Sequence, residues 1–373
     1  MKSAAEGRQL HFASSAKGLE KDLVKAMSES AEDGKEIHSG VSVNLILLAP
    51  SKEFLVPIEE AIVCLSTVHA GRIFTIIGDE TRSDIGVEID IRLTPLSKTE
   101  EVATEVIRIV APERLFQALP SILRAHLLSG ITTELFIVEP LKNSILLNLL
   151  SPFVEECLLS SRQFENHLEE IEIIASRGAK IVDLEWIGMA AWRDQLKYIF
   201  ERFGGENLPD RLESIALTAI TNNDKVIPAN ALLFAGWLVN RLGLDVVAFG
   251  NGGYECRFPI GMKKQSIRLD LKVEKGPEHG TLVELSCEFT PRGGLRTHTV
   301  LRMNRSNSET LETLVDLGPG GASQFLRLSR PLDSGDTLEY LTRYYVIGES
   351  VTNYRAALKS GIELQNLRSN NYA

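Results

Sequence analysis

Ser42-Val43-Asn44-Leu45-Ile46-Leu47-Leu48 is the stretch from which the fold of this chain is read. It is a β-branched, apolar run, and it opens an alternation of strands and helices. Ile58, Ala61, Ile62, Leu65 and Val68 follow at i, i+3, i+4 and i+7, one face of a helix ending near Gly71. Ile73–Ile77, Val87–Leu93 and Glu105–Val110 read as further strands. Pro112 and Glu113 open a helix through Leu115, Leu119, Ile122 and Leu123, because a proline at the first helical position gives up no needed hydrogen bond. Gly130 closes it, Thr133–Val138 is another strand, and residues 143–161 have helical periodicity. Strand, helix, strand in this order predicts helices packed over a largely parallel or mixed sheet. No G-x-G-x-x-G follows the first strand, so the expected domain has Rossmann-like α/β layers without the dinucleotide fingerprint.

Working outward, residues 1–39 are polar and form an expected arm, interrupted by a short amphipathic helix at Leu19, Leu23, Val24 and Met27. The α/β domain is expected over 40–165, and the polar stretch from Ser160 to Arg177 marks the junction to a second domain over 178–367. That domain begins with two strong helices. Short runs at Val246–Phe249, Glu255–Pro259, Ser266–Val273, Thr281–Phe289 and Arg296–Leu301 then predict an antiparallel meander. Thr337 to Leu367 returns to helical periodicity, giving an α+β domain with an antiparallel sheet, and 368–373 is a polar tail.

A chain of 373 residues exceeds one ordinary core, and 44% hydrophobic with 24% charged residues is globular composition. The net charge of −10 argues against nucleic acid, whose binding rests on clustered Lys and Arg. The longest apolar runs, such as Ala231 to Val239, fall short of the about 20 residues of a membrane span. No signal-peptide pattern occupies Met1 to Ser15, so the expected compartment is the cytoplasm. Cys64, Cys157, Cys256 and Cys287 lack the spacing of a zinc or redox site. Cys64 and Cys157 fall in helical patterns and Cys256 and Cys287 in strand-like ones, and all four are expected as buried thiols.

Chemical motifs are largely missing. There is no P-loop, no H-E-x-x-H and no G-x-S-x-G, and the histidines form no pair at ligand spacing. His69 and His126 fall at helix ends, where a cation suits the dipole. Glu59/Glu60, Glu155/Glu156 and Glu169/Glu170 are adjacent in sequence, which points them apart rather than into one cleft, so they read as solvated faces. Gly318, Gly320 and Gly321, with Pro319, could approach an anion through backbone amides, but a tight turn between strands is the favoured reading, because no Lys or Ser/Thr completes a phosphate site there.

All three tryptophans lie in the two strong helices of the second domain. In the first, Met189, Trp192, Leu196, Ile199, Phe200 and Phe203 share one arc, with Trp186 at its edge and Arg193 beside it. The second, Ala229 to Leu242, is apolar around most of its circumference, with Pro228 at its start and Gly243 at its end. Gly236 beside Trp237 permits a close neighbour. Core packing is the expected role of all three indoles.

These segments resemble the OpcA family, proteins that assemble and activate glucose-6-phosphate dehydrogenase. The family pattern of Asp-Leu-x-Trp, a second Trp and then Gly-Trp-Leu-x-x-Arg-Leu-Gly is met by Asp183-Leu184-Glu185-Trp186, by Trp192, and by Gly236-Trp237-Leu238-Val239-Asn240-Arg241-Leu242-Gly243. Gly71-Arg72-Ile73, Ser160-Ser161-Arg162-Gln163-Phe164 and Gly320-Gly321-Ala322-Ser323-Gln324 also resemble family segments, over roughly residues 40–330. Ile137-Val138-Glu139-Pro140 departs from the Trp-containing segment that the family often has there.

The resemblance implies a chain that is not an enzyme. It would be an assembly factor and allosteric activator in the oxidative pentose phosphate pathway, with glucose-6-phosphate dehydrogenase as partner and no cofactor, metal or catalytic residue of its own. Arg72, Arg193, Arg241, Gly320 and Gly321 are the candidate partner or anion contacts. The competing expectation is a sugar-phosphate enzyme or sensor, with Arg72, Arg241, Arg292 and Arg296 available for phosphate.

Overall fold

The computed structural model describes residues 8–15, 17–30, 36–38, 42–49, 59, 62–63, 71–137, 148–164, 168–203, 212–223, 226–258, 266–276, 280–289, 299–307, 310–316, 325–331, 340, 344 and 353–372. The chain divides into two compact units. The first comprises residues 1–160, 173–182 and 341–349, and the second 161–172, 183–340 and 350–373.

In the first unit the strands are β1 (Arg8–Ser14), β2 (Glu36–His38), β3 (Val43–Ala49), β4 (Gly71–Gly78), β5 (Gly86–Pro95), β6 (Glu100–Ala111), β7 (Thr133–Ile137), β8 (Glu156–Leu159) and β9 (Lys180–Asp183). They form one sheet in the order β1-β5-β6-β4-β3-β7-β8-β9, with β2 pairing with β6. Counted from β3 and leaving out the antiparallel β5, the run β6-β4-β3-β7-β8-β9 has the order 3-2-1-4-5-6 of a doubly wound sheet. β3 pairs in parallel with both β4 and β7, so the sheet reverses its winding between β3 and β7. The Ile-rich β4 and all of β7 are buried along nearly their whole length, as strands covered on both faces are. The expected strands at 42–48, 73–77, 87–93, 105–110 and 133–138 lie within or overlap β3 to β7.

Three segments differ from their sequence reading. The polar arm contains β1, which pairs antiparallel with β5, and helix α1 (Leu19–Ser30). α1 buries Leu19, Leu23 and Ala26, while Val24, expected on the same face, is 70% exposed. After Pro112 the chain makes a 3-10 turn, Glu113–Ala118, before helix α2 (Leu119–His126). Residues 143–161, expected as a helix, are described from 148: 148–150 are helical, then come a 3-10 turn at Ser151–Phe153 and the strand β8, so Cys157 lies in a strand. A four-residue apolar run has no period of its own, and pairing with β7 decides its conformation. The helix expected from Ile58 to Val68 falls almost wholly outside the described residues, of which Glu59, Ile62 and Val63 are helical.

The stretch from Ser160 to Arg177 holds a 3-10 turn, Ser161–Phe164, and helix α3 (Leu168–Ser176). Beyond it come α4 (Leu184–Gly188), α5 (Ala190–Phe203), β10 (Leu212–Thr221), α6 (Ala229–Leu242), β11 (Asp245–Gly250), β12 (Gly253–Arg257), β13 (Ser266–Lys275), β14 (Leu282–Phe289), β15 (Thr299–Asn307), β16 (Thr310–Asp316), β17 (Phe325–Pro331) and α7 (Tyr354–Tyr372). The second sheet has the order β11-β12-β13-β10-β14-β15-β16-β17. It is not the pure meander expected, because β10 inserts between β13 and β14 and runs parallel to β13. A parallel neighbour requires a crossover, and α6 followed by β11 and β12 supplies it. α7 extends to Tyr372, through the residues expected as a tail.

α6 is buried at every residue from Ala229 to Val239. It ends at Gly243, whose φ of 65° is the left-handed cap that glycine adopts without strain. Its closest neighbour is α7. A Cβ on Gly236 would lie 2.5 Å from the Gly361 amide nitrogen and closer still to the Ala357 carbonyl, while one on Gly361 would meet the Leu232 carbonyl at 3.1 Å. The two helices therefore cross glycine to glycine, backbone on backbone. Gly236→Ala should destabilise the second unit by about 2 kcal/mol despite alanine's better helix propensity, because neither backbone can yield cheaply. Urea unfolding measures this, and an alanine variant as stable as the wild type would show that the crossing is looser than described.

Candidate functional site

The tryptophan-bearing segments assemble around Asp183 in the second unit. Asp183 stands at the end of β9 and is the N-cap of α4, with φ −94° and ψ 117°. One carboxylate oxygen accepts from the Glu185 amide at 3.0 Å, the cap bond, and also from the Ser161 amide at 3.0 Å. A single oxygen thus ties the start of α4 to the 3-10 turn that begins 22 residues earlier in the chain. The same turn offers Arg162, whose Nη2 donates to Glu185 Oε2 at 2.9 Å. On the far side of α4, the Arg193 guanidinium lies 3.9 Å over the Trp186 ring and donates to the Trp186 carbonyl. Trp186 meets Tyr354 of α7 edge to face, with centroids 5.7 Å apart.

Asp183 is fully buried, and that burial raises its pKa to about 6. The Ser161 amide opposes the rise, the charge of Glu185 adds to it, and the hydroxyls of Ser161 and Tyr354 oppose it. Nearby, Arg162 Nε, Trp186 Nε1 and Asn230 Oδ1 are buried with no hydrogen bond among the described residues. Arg162 and Asn230 converge on Gly280, whose φ is +82°: a Cβ there would lie 3.3 Å from Arg162 Nε and 3.5 Å from Asn230 Nδ2. The cluster combines a buried acid with a raised pKa and, through the Ser161-Arg162 turn, a guanidinium and an amide that flank Gly280. Such an arrangement can exchange a proton or hold a polar group, and perturbed acids concentrate where proteins act.

The structure separates the candidate residues into distinct places. Asp183, Trp186 and Arg193 share this cluster. Trp192 and Trp237 both pack on Phe234, at 6.3 and 5.3 Å, and all three indoles are buried. Gly236 serves the α6–α7 crossing, and Gly243 caps α6. Arg241 is exposed near the end of α6. Arg72 belongs to the first unit and is not available to a ligand: its Nε donates to Glu105 at 2.6 Å, and Nη1 donates to Glu20 at 2.8 Å and to the His126 carbonyl at 2.7 Å. Gly318, Gly320, Gly321, Arg292, Arg296, His69 and Cys64 lie outside the described residues. Glu185, Asn230, Tyr354 and Gly280 had not been singled out from sequence. The one local signal was Asn230, a polar residue within an otherwise apolar helix.

Two further readings change. Glu59 is not a solvated carboxylate, since it accepts from Arg92 at 2.5 Å and also from Arg108. Glu156 likewise accepts from Lys180 at 2.8 Å and from the Tyr344 hydroxyl. Cys157, Cys256 and Cys287 are buried with thiol pKa values pushed up to about 12, so they stay protonated and are poor nucleophiles. Among the described residues, one group could hold a metal ion: Glu36, His38 and Glu100, exposed and with ligand atoms within 4.8 Å of one another. No described helix is long and apolar enough to cross a membrane.

No protein-family model matches the sequence, and no curated protein matches it. Solved structures match in fold. The glucose-6-phosphate 1-dehydrogenase of Mycobacterium avium aligns with a TM-score of 0.53 at 11% identity, over 86% of this chain and 90% of that one. A 3-ketoreductase from Actinomadura kijaniata, solved with NADP, aligns with a TM-score of 0.47 at 9% identity, over 88% and 97% of the two chains. The biliverdin reductase of Synechocystis, also solved with NADP+, aligns with a TM-score of 0.43 at 9% identity, over 88% and 98%. The class is thereby set as a fold: a two-unit α/β protein with a Rossmann-like sheet and a second sheet domain. This corrects the expectation that the chain is not an enzyme. That expectation came with the family resemblance, and a dehydrogenase is among the structures that share this fold.

Asp183 has a measurable signature. Because its folded pKa lies above the unfolded value of 3.8, ionisation penalises the folded state, and stability falls as pH rises from about 4 to about 6. Asp183→Asn retains an oxygen for both amides but cannot ionise. Relative to the wild type it should gain about 2 kcal/mol between pH 4 and pH 7. Urea titrations across that range decide the point, and a constant offset between the two proteins would show that Asp183 does not carry the raised pKa.

Proposed function

We propose that this chain binds glucose-6-phosphate dehydrogenase and favours the enzyme's active oligomer, acting in the cytoplasm. The observation that supports the reading is the convergence of the segments resembling the OpcA family. Ser161-Arg162, Asp183 to Trp186, and Arg193 are far apart in sequence, yet they join through the Asp183 carboxylate, the Arg162–Glu185 ion pair and the Arg193–Trp186 stack. Gly236 and Trp237 stand on α6, next to α7, which brings Tyr354 to the same cluster. The shared fold adds a physical route: a chain built like a dehydrogenase can offer that enzyme a surface of the kind its own subunits offer one another. Activation then requires binding one oligomeric or conformational state better than the other, and the effect cannot exceed that difference in affinity.

A second reading is favoured by a separate observation: the buried acid Asp183, its pKa raised to about 6, accepts from the turn that carries Arg162, and Arg162 and Asn230 both flank Gly280. In that reading the chain is a sugar-phosphate enzyme or sensor, with Arg162 in the place that Arg72, engaged by Glu105 and Glu20, cannot fill.

One titration separates them. Adding the purified chain to the dehydrogenase of its own organism should raise NADPH production to a plateau and give a co-eluting complex on size exclusion. No rate change together with no co-elution at micromolar concentrations would remove the first reading. Turnover of a sugar phosphate with NADP by the chain alone would establish the second.

A further inference from the structure

Between α5 and α6 of the second unit lies a groove of about 360 Å³, within the range of small-ligand sites. Each helix contributes two successive rungs at i, i+4 spacing: Leu196 and Phe200 from α5, Trp237 with Leu238 and Leu242 from α6. Leu196, Trp237 and Leu238 form its buried apolar side. Three charged side chains also line it, and they are not equivalent. Lys197 pairs with Glu201 at 3.8 Å, so these two nearly cancel. Arg241 is exposed and has no acidic partner among the described residues. A cation in the last turn of α6 suits the helix dipole, but that needs only charge and leaves the planar guanidinium fork unused.

We propose that this groove binds a small amphipathic monoanion, a carboxylate on an apolar body such as a medium-chain fatty acid. The carboxylate would take the Arg241 fork in two parallel hydrogen bonds, and the apolar body would cover Trp237, Phe200 and the leucines. A doubly charged phosphate fits less well, because one guanidinium cannot neutralise it and Glu201 stands on the same wall. The groove shares no residue with the Asp183 cluster, and binding of a fatty acid to the chain alone is measured apart from either reading above.

The test uses the full chain with decanoate, decanol and acetate as probes, followed by calorimetry and by the fluorescence of the groove's tryptophan. Decanoate should bind saturably at one site, with decanol and acetate at least tenfold weaker. Arg241→Ala should weaken decanoate by tenfold to a hundredfold, as loss of a charged hydrogen-bond pair does, while Arg241→Lys should recover part of the affinity. Both variants change an exposed side chain, and circular dichroism should match the wild type. Unsaturable binding, decanol binding as tightly as decanoate, or an unchanged affinity in Arg241→Ala would each overturn the proposal.

Discussion

A single carboxylate oxygen of Asp183 ties together the backbones of two chain segments far apart in sequence. By accepting from the Ser161 and Glu185 amides it sets where α4 begins, and hence which way Trp186 faces. That direction places one face of the indole under Arg193 and lets its ring meet Tyr354. The second amide it accepts fixes the turn from which Arg162 reaches Glu185. The geometry demands full burial, and full burial is what makes the charged form unfavourable. Structural anchor and titratable acid are therefore the same group, so any proton taken up at Asp183 is felt along both segments.

The first unit solves a different electrostatic problem. Its central strands include buried charged residues, which are costly unless each has a partner. Arg72 on β4 meets Glu105 on β6 and Glu20 on α1. Asp90 on β5 is held by Arg108 on β6 and by His11 on β1 at 2.7 Å. Two of these partners, Glu20 and His11, come from the polar N-terminal stretch. Ionic contacts, with Leu19 and Leu23 beneath them, explain why that stretch is part of the sheet's covering rather than an arm.

What could be read from sequence followed from how local each signal was. β3, β4 and β7 were legible because β-rich apolar runs suffice to specify strands buried on both faces. β8 was not, since its four residues are too few for a period and owe their conformation to β7. The parallel pairing of β10 with β13 was illegible for the same reason: nothing in Leu212–Thr221 names a strand that comes some fifty residues later. The Asp-Leu-x-Trp segment could be found, but its meaning as a cap and tether depends on Ser161. Glu185, Asn230, Tyr354 and Gly280 become a group only by folding. Arg72 shows the converse error, a cation that looks free in a sequence and is enclosed by acids in three dimensions.

The glycine crossing of α6 and α7 also bears on how the protein is made. α6 is apolar on nearly every side, and the helix that covers it against Gly236 leaves the ribosome only after all eight strands of the second sheet. During synthesis, therefore, one of the most water-averse segments of the chain waits uncovered. The second unit cannot close behind the advancing ribosome as a simple meander could, and its nascent form is a natural client for a chaperone.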